Sequence, residues 1–159
     1  MIEEFITGME EKGIRYVLVG GMALNLHGIP RPTYDIDLSL ALDPENLSRF
    51  WDHAQACGFK PRLPISKDQL LDPKTREAWI KDKNLAAVSF LVEKPYRAEL
   101  DVLIDLRGIG FEELCASALR RPLGKSEVVI ASRDALIKMK AAVGRDQDLR
   151  DIEYLRRLG

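Results

Sequence analysis

Two aspartates one residue apart, in Asp35-Ile36-Asp37-Leu38, are the first residues in this chain whose type and spacing suit catalysis. Tyr34 to Leu40 reads as a β-strand, and strand side chains alternate faces with period two. Asp35 and Asp37 then share one face, while Tyr34, Ile36 and Leu38 turn into the core. Two adjacent carboxylates repel each other, and a cation between them removes that penalty; hard oxygen ligands of this kind suit Mg²⁺ or Mn²⁺. The wet face of an ordinary half-buried strand gives the same Asp-x-Asp pattern. A second strand adds weight to the catalytic reading. In Glu99-Leu100-Asp101-Val102-Leu103-Ile104-Asp105 the residues Leu100, Val102 and Ile104 share the buried face, and Glu99, Asp101 and Asp105 share the other. If the two strands are neighbours, Asp101 brings a third carboxylate to the pair. Three carboxylates from two strands are what a two-metal phosphoryl-transfer site requires.

Gly20-Gly21 follows the apolar run Tyr16-Val17-Leu18-Val19 and precedes a short helical stretch. Glycine there lets a phosphate come close to the backbone, and the free N–H groups at the start of a helix favour an anion. Many tight turns need glycine only for a positive φ. Order and spacing carry the functional reading: thirteen residues separate Gly21 from Asp35, enough for one short helix and a loop returning into the neighbouring strand.

These residues need a frame. The 159 residues, 46% hydrophobic and 31% charged, predict a single domain over 1–159 with one core. Its first part, about 1–106, is the expected sheet region, and about 107–159 is expected to be mostly helical. A net charge of −1 removes bulk attraction to nucleic acid or membrane as the main theme and leaves room for a local basic patch. No apolar run approaches the roughly 20 residues that span a bilayer. The stretch from Met1 to Glu11 has four glutamates and no basic start, so no signal peptide and a cytoplasmic location are expected. Cys57 and Cys115 read as reduced, buried thiols, and with His27 and His53 the only histidines a zinc site is excluded.

Apolar spacing predicts a helix over 2–12, strands over 16–19 and 34–40, and a helix opened by Asp43-Pro44 with Leu47, Phe50, Trp51 and Ala54 inward. Residues 60–84 are hard to read because of Pro61, Pro64 and Pro73, with one or two helical turns expected over 75–82. Two strands, 85–92 and 98–106, read as an antiparallel pair. A helix over 111–119, a strand over 127–130, a helix capped by Ser132 and stopped by Gly144, and a last helix over about 148–158 complete an α/β pattern with a mixed β-sheet and flanking helices.

With these residues in view, the chain resembles the nucleotidyltransferase superfamily with the DNA polymerase β-type fold. Gly20-Gly21, a spacer, Asp35-x-Asp37 and the apolar-flanked Asp101 match its pattern. More narrowly, Val19-Gly20-Gly21-Met22-Ala23-Leu24 with Arg31-Pro32-Thr33-Tyr34-Asp35-Ile36-Asp37-Leu38 is similar to the AbiEii-like minimal nucleotidyltransferases. Many of those are toxins of toxin–antitoxin or phage-defence pairs. Their later lysine and Arg-x-x-Asp-x-x-Asp segment correspond to Lys140 and to Arg145, Asp148 and Asp151. Where many superfamily members have serine after the first glycine, this chain has Gly21, leaving the backbone amides to hold phosphate.

The resemblance implies a Mg²⁺- or Mn²⁺-dependent transfer of a nucleotidyl group from an NTP to a hydroxyl on RNA, a protein or a small molecule. An antitoxin or other small protein is an implied partner. Asp35, Asp37 and Asp101 are the expected metal ligands and catalytic residues, and Gly20, Gly21, Arg31, Thr33 and Lys140 the expected nucleotide contacts. Arg145, Asp148 and Asp151 are expected to pack behind them. Each supporting residue has a plainer reading: Arg31 as a solvated loop residue, Lys140 as helix surface, Asp148 as a first-turn acid. Arg120, Arg121 and Lys125 form a small basic cluster whose two readings are an RNA-backbone contact and, the favoured one, a solvated turn. Gly124-Lys125-Ser126 is not a P-loop, since Leu119 stands where the first glycine belongs. The competing functions are a nucleotide- or partner-binding module of the same fold without turnover, and a haloacid-dehalogenase-type phosphatase, to which Asp35-Ile36-Asp37-Leu38-Ser39 also bears a likeness. The phosphatase motif ends the first core strand of its fold, whereas here the core strand lies one element earlier.

Overall fold

A computed structural model describes residues 2–158; Met1 and Gly159, the ends of the expected domain, lie outside them. The chain runs α1 (Ile2–Glu11), β1 (Tyr16–Val19), α2 (Gly20–Leu26), β2 (Asp35–Leu40), α3 (Pro44–Ala56), β3 (Lys60–Pro61), α4 (Lys67–Leu71), α5 (Pro73–Lys83), β4 (Ala87–Val92) and β5 (Ala98–Leu103). It continues through α6 (Phe111–Ala116), β6 (Leu119–Leu123), β7 (Ser126–Ile130), α7 (Arg133–Val143) and α8 (Asp146–Arg157). All seven strands form one mixed sheet in the order β3-β4-β5-β2-β1-β7-β6. The β2–β5 and β1–β7 pairs are parallel and the rest antiparallel. The expected α/β class with a mixed sheet is what the structure has.

One sheet face is the core. Ile36 and Leu38 of β2, Leu100 and Val102 of β5, and Val88 and Phe90 of β4 are buried there. Phe90 meets Phe50 and Trp51 of α3 edge-on, and Phe50 meets Phe5 of α1. Burial of these rings drives both helices onto that face. The opposite face is therefore free to carry acids.

Asn46 of α3 holds the two strands nearest the site in place. Its side chain accepts from Arg15 N at 2.8 Å and donates to Arg15 O at 3.0 Å and Ala41 O at 2.9 Å, joining the start of β1 to the end of β2. Asn46→Ala strands these backbone groups in a buried place and is expected to cost about 2–4 kcal/mol, read as a fall in urea midpoint. An unchanged midpoint would show that water replaces the amide.

Several local expectations need correction. Tyr34 is 89% exposed, not in the core, because Pro30 and Pro32 hold the chain in a loop and β2 starts one residue later at Asp35. Cys57 is exposed, since it caps the C-terminus of α3 and does not lie on its inner face. The expected turns over 75–82 are a full helix, α5, preceded by α4, which a Ser66/Gln69 capping box opens. Leu119 does not end a helix: with Arg120 and Arg121 it forms β6, and Lys125 sits in the β6–β7 turn, where Glu3 accepts its backbone N–H at 2.9 Å. The last helix begins two residues early, at Asp146.

Candidate active site

β2 and β5 lie side by side in parallel, with Asp37 opposite Asp101 and Asp35 opposite Glu99. Since paired residues share a face, the three expected carboxylates stand together on the open side of the sheet. Val19 pairs with Asp37 across β1 and β2, so the Gly20-Gly21 bend emerges beside the same carboxylate. Gly20 has φ +69°, and a Cβ added there would land on the Asp37 carboxylate oxygen. Glycine is required here for both backbone conformation and space. Gly20→Ala is expected to cost about 1–2 kcal/mol from the left-handed backbone alone and to push Asp37 aside. A variant with wild-type stability and wild-type NTP affinity would refute that account.

The electrostatics are those of a crowded acid cluster. Burial, then the charges of Asp101 and Asp35 and a hydrogen bond with Asp101, push the Asp37 carboxyl up to about 7. Asp35 is also raised, by burial and then by Asp101 and Glu99, against a partial offset from Arg62 and Arg97. Ser89 of β4 donates to Asp101 Oδ1 at 2.5 Å. Three hard oxygen donors side by side, two of which, Asp35 and Asp37, are held against their charged form, fit a divalent cation chemically. As they stand they do not form a closed cage: among the described residues no three His, Cys, Asp or Glu side chains are arranged to hold an ion. One oxygen of Asp101, Oδ1, is taken up by the Ser89 hydroxyl.

A cleft of about 500 Å³ opens beside these acids, with Gly20, Asp37 and Lys140 on its polar side and Leu103, Leu136 and Met139 on its apolar side. Lys140 is not helix surface: its side chain is 13% exposed, and its charge acts on Asp37. Lys140 Nζ lies 2.8 Å from Asp151 and 3.6 Å from Asp148. Arg31 also bonds Asp151, which brings the loop before β2 against α8. Arg145 pairs with Asp148 at 2.7 Å, and Asp148 in turn accepts the Arg145 backbone N–H as a cap on α8. Both aspartates are 2% exposed. Thr33 donates to Asp35 O at 3.3 Å and packs against Gly21.

The expected residues thus fall into one connected region, with Arg145, Asp148 and Asp151 one layer behind Lys140 and Arg31. Two contributors escaped the sequence. Ser89 carries no motif, and only the β4–β5 register reveals it. Gln147 donates to Asp151 Oδ1 at 2.9 Å, an i,i+4 relation that the sequence hid because the last helix was expected to start only at 148.

Compared by sequence, the chain matches no family model and no curated protein. Solved structures share its fold. ANT(2")-Ia, in complex with adenylyl-2"-tobramycin, aligns with a TM-score of 0.65 at 13% identity, over 99% of this chain and 87% of that one. LnuA, a lincosamide antibiotic adenylyltransferase with lincomycin bound, aligns at 0.59 and 14%, over 99% and 96%. A Thermotoga maritima protein assigned as a nucleotidyltransferase aligns at 0.57 and 12%, over 98% and 88%. At these identities the likeness is one of fold: the sheet and helices described above have the same arrangement as in these three proteins.

Proposed function

We propose that this nucleotidyltransferase fold carries a working site that transfers a nucleotidyl group from an NTP to a hydroxyl acceptor with Mg²⁺ or Mn²⁺. The observation that carries the reading is the pairing of Asp37 with Asp101 on parallel strands beside the Gly20 bend. Asp35, Asp37 and Asp101 would hold the cation, which supplies Lewis acidity to the acceptor hydroxyl and charge neutralisation to the phosphates. Asp101, steadied by Ser89, is the base that receives the acceptor proton. The Gly20 and Gly21 amides contact the β- and γ-phosphates, and Lys140 adds a point charge beside them. Arg31 and Thr33 set the position of the strand that bears Asp35 and Asp37.

The motif likeness extends the reading to an AbiEii-like enzyme of the cytoplasm, acting as the toxin of a toxin–antitoxin pair with a small protein partner. The acceptor is then RNA, a protein or a small molecule; the fold neighbours include proteins solved with antibiotics. The second reading, a binding module without turnover, shares the fold and the cleft. Calorimetry with ATP, GTP, CTP and UTP, with and without Mg²⁺, separates the two. Metal-dependent binding with pyrophosphate release on adding acceptor supports the enzyme, binding without release supports the module, and absence of binding removes both.

A further inference from the structure

Far from the acids, α1 packs on α3 around one histidine. Phe5, Ile6 and Met9 turn the apolar side of α1 inward. The Phe5 ring meets Phe50 and Phe59 edge-on and stacks on the His53 imidazole, with ring centres 4.7 Å apart. Gly8 makes room for that imidazole, because a Cβ there would run into His53 Cε1. His53 is 4% exposed. Its Nε2 lies 2.8 Å from Phe5 O, and since a carbonyl only accepts, Nε2 carries the proton and donates. Nδ1 is buried and has no hydrogen-bond partner among the described residues. The side chain is therefore a neutral imidazole, with one nitrogen satisfied by α1 and the other facing apolar packing.

A second proton has no place in this packing. It would put an N–H donor on Nδ1 where nothing accepts it, and a full charge where water does not reach, and both are costly. The charged groups facing the ring from α1 are Lys12, which opposes a cation, and Glu11, which favours one. On α3 the Cys57 thiol lies 3.9 Å from Nε2; partial burial pushes it up, with Lys12 and Glu4 acting on it in opposite senses, so it carries no charge. Burial above all, aided by Lys12, holds the imidazole below its ordinary value against the Phe5 O hydrogen bond and Glu11. α1 also ties down the β6–β7 hairpin: Glu3 accepts the Lys125 backbone N–H at 2.9 Å, and the Thr7 and Ser126 hydroxyls are 2.8 Å apart. In the sheet order β5-β2-β1-β7-β6 the acid-bearing pair lies on the far side of β1 from that hairpin.

We infer that His53 is an acid-released latch: when it takes a proton, α1 opens away from α3, uncovering its Phe5, Ile6 and Met9 face, while β2 and β5 stay paired. The inference stands apart from the nucleotidyl-transfer reading of the acids. Opening leaves the imidazole in water, where it titrates near the ordinary value of about 6.5; in the closed form it titrates lower. Between those two values the open form binds more protons than the closed one. Opening is therefore independent of pH above about 6.5 and becomes easier by up to about ten-fold for each unit that pH falls below it. Histidine is the side chain whose ordinary titration falls in this range, so a modest acidification is enough to work the latch.

Hydrogen exchange of the full chain, followed by mass spectrometry from about pH 5 to pH 8 and corrected for the intrinsic pH dependence of exchange, tests the latch. Peptides covering α1 are expected to hold level protection above about pH 6.5 and to lose up to about ten-fold per unit below it, while peptides from β2 and β5 keep theirs. His53→Gln keeps an amide that can donate to Phe5 O and removes the titration, so its α1 protection is expected to stay level throughout. Imidazole ¹⁵N shifts of the wild-type chain are expected to show the proton on Nε2 and a midpoint below about 6.5. That measurement needs no substitution and decides the matter should His53→Gln fail to fold. The inference is overturned if the imidazole titrates at or above about 6.5, or if α1 protection falls with acid equally in His53→Gln. It is overturned as well if α1 loses protection only together with β2 and β5.

Discussion

Asp37→Asn is expected to lower nucleotidyl transfer by roughly 10³-fold or more, the loss of several kcal/mol of charge stabilisation at a metal-ion site. The same substitution is expected to raise the melting temperature of the metal-free protein at pH 8. The Asp37 carboxyl stands at about 7 in the fold because it is buried against Asp101 and Asp35. In the unfolded chain it titrates near the usual carboxylate value of about 4. Between those two values the folded state binds more protons than the unfolded one, so stability falls as pH rises from about 4 to about 7 and is level above. At pH 8 the wild-type protein carries that full repulsion. An uncharged isostere relieves it, with an expected gain of about 1–3 kcal/mol. Mg²⁺ is expected to stabilise wild type at pH 8 and to leave Asp37→Asn nearly unchanged, since a ligand stabilises the state that binds it. Thermal melts at pH 5 and pH 8, with and without Mg²⁺, check all of this. A variant that melts lower than wild type at pH 8 without metal would show that the three acids are not in mutual repulsion.

Asp151→Asn is expected to destabilise the protein by about 3 kcal/mol, the cost of breaking a buried ion pair from one side. For a chain of this size that corresponds to a fall in melting temperature of about 6–12 °C. Arg31 and Lys140 both rest on this one carboxylate, and Gln147 holds its other oxygen. Burial alone would push the Asp151 carboxyl up. Hydrogen bonds from Lys140 and Gln147, with the charges of Lys140 and Arg31, outweigh it and hold the group below its ordinary value. Asp148 is likewise held low, first by its hydrogen bond from Arg145. For groups depressed in the fold, stability is present above the unfolded value of about 4 and is lost as pH falls through the folded one. These two aspartates and Asp37 therefore oppose each other, and the metal-free protein is expected to be most stable on the acid side of neutrality. Releasing Lys140 from Asp151 is also expected to weaken NTP binding about ten-fold. Wild-type NTP affinity in Asp151→Asn would mean that Lys140 needs no support from α8.

What local sequence could reveal, it did reveal, because the signals concerned are short-ranged. Asp43-Pro44 and Ser132 cap α3 and α7 as expected, and their side chains accept the backbone N–H groups of Asn46 and Ala135. The alternation in β5 marked its inner and outer faces correctly. The errors lie where two local rules compete. Prolines around Tyr34 overrode its strand preference, and Leu119, expected to end a helix, joined Arg120 and Arg121, expected in a solvated turn, as strand because β7 was present to pair with them.

Residue types and their order along the chain settled that three acids and a glycine bend were available for phosphate chemistry. Their assembly depended on the parallel pairing of β2 with β5, which no local signal encodes: hydrogen bonding between distant strands is chosen by the packing of the whole core. The same holds for Arg31 and Asp151, 120 residues apart and sharing one ion pair. Chemistry was written in the residues, while the distances between them came from burial of the opposite face of the sheet.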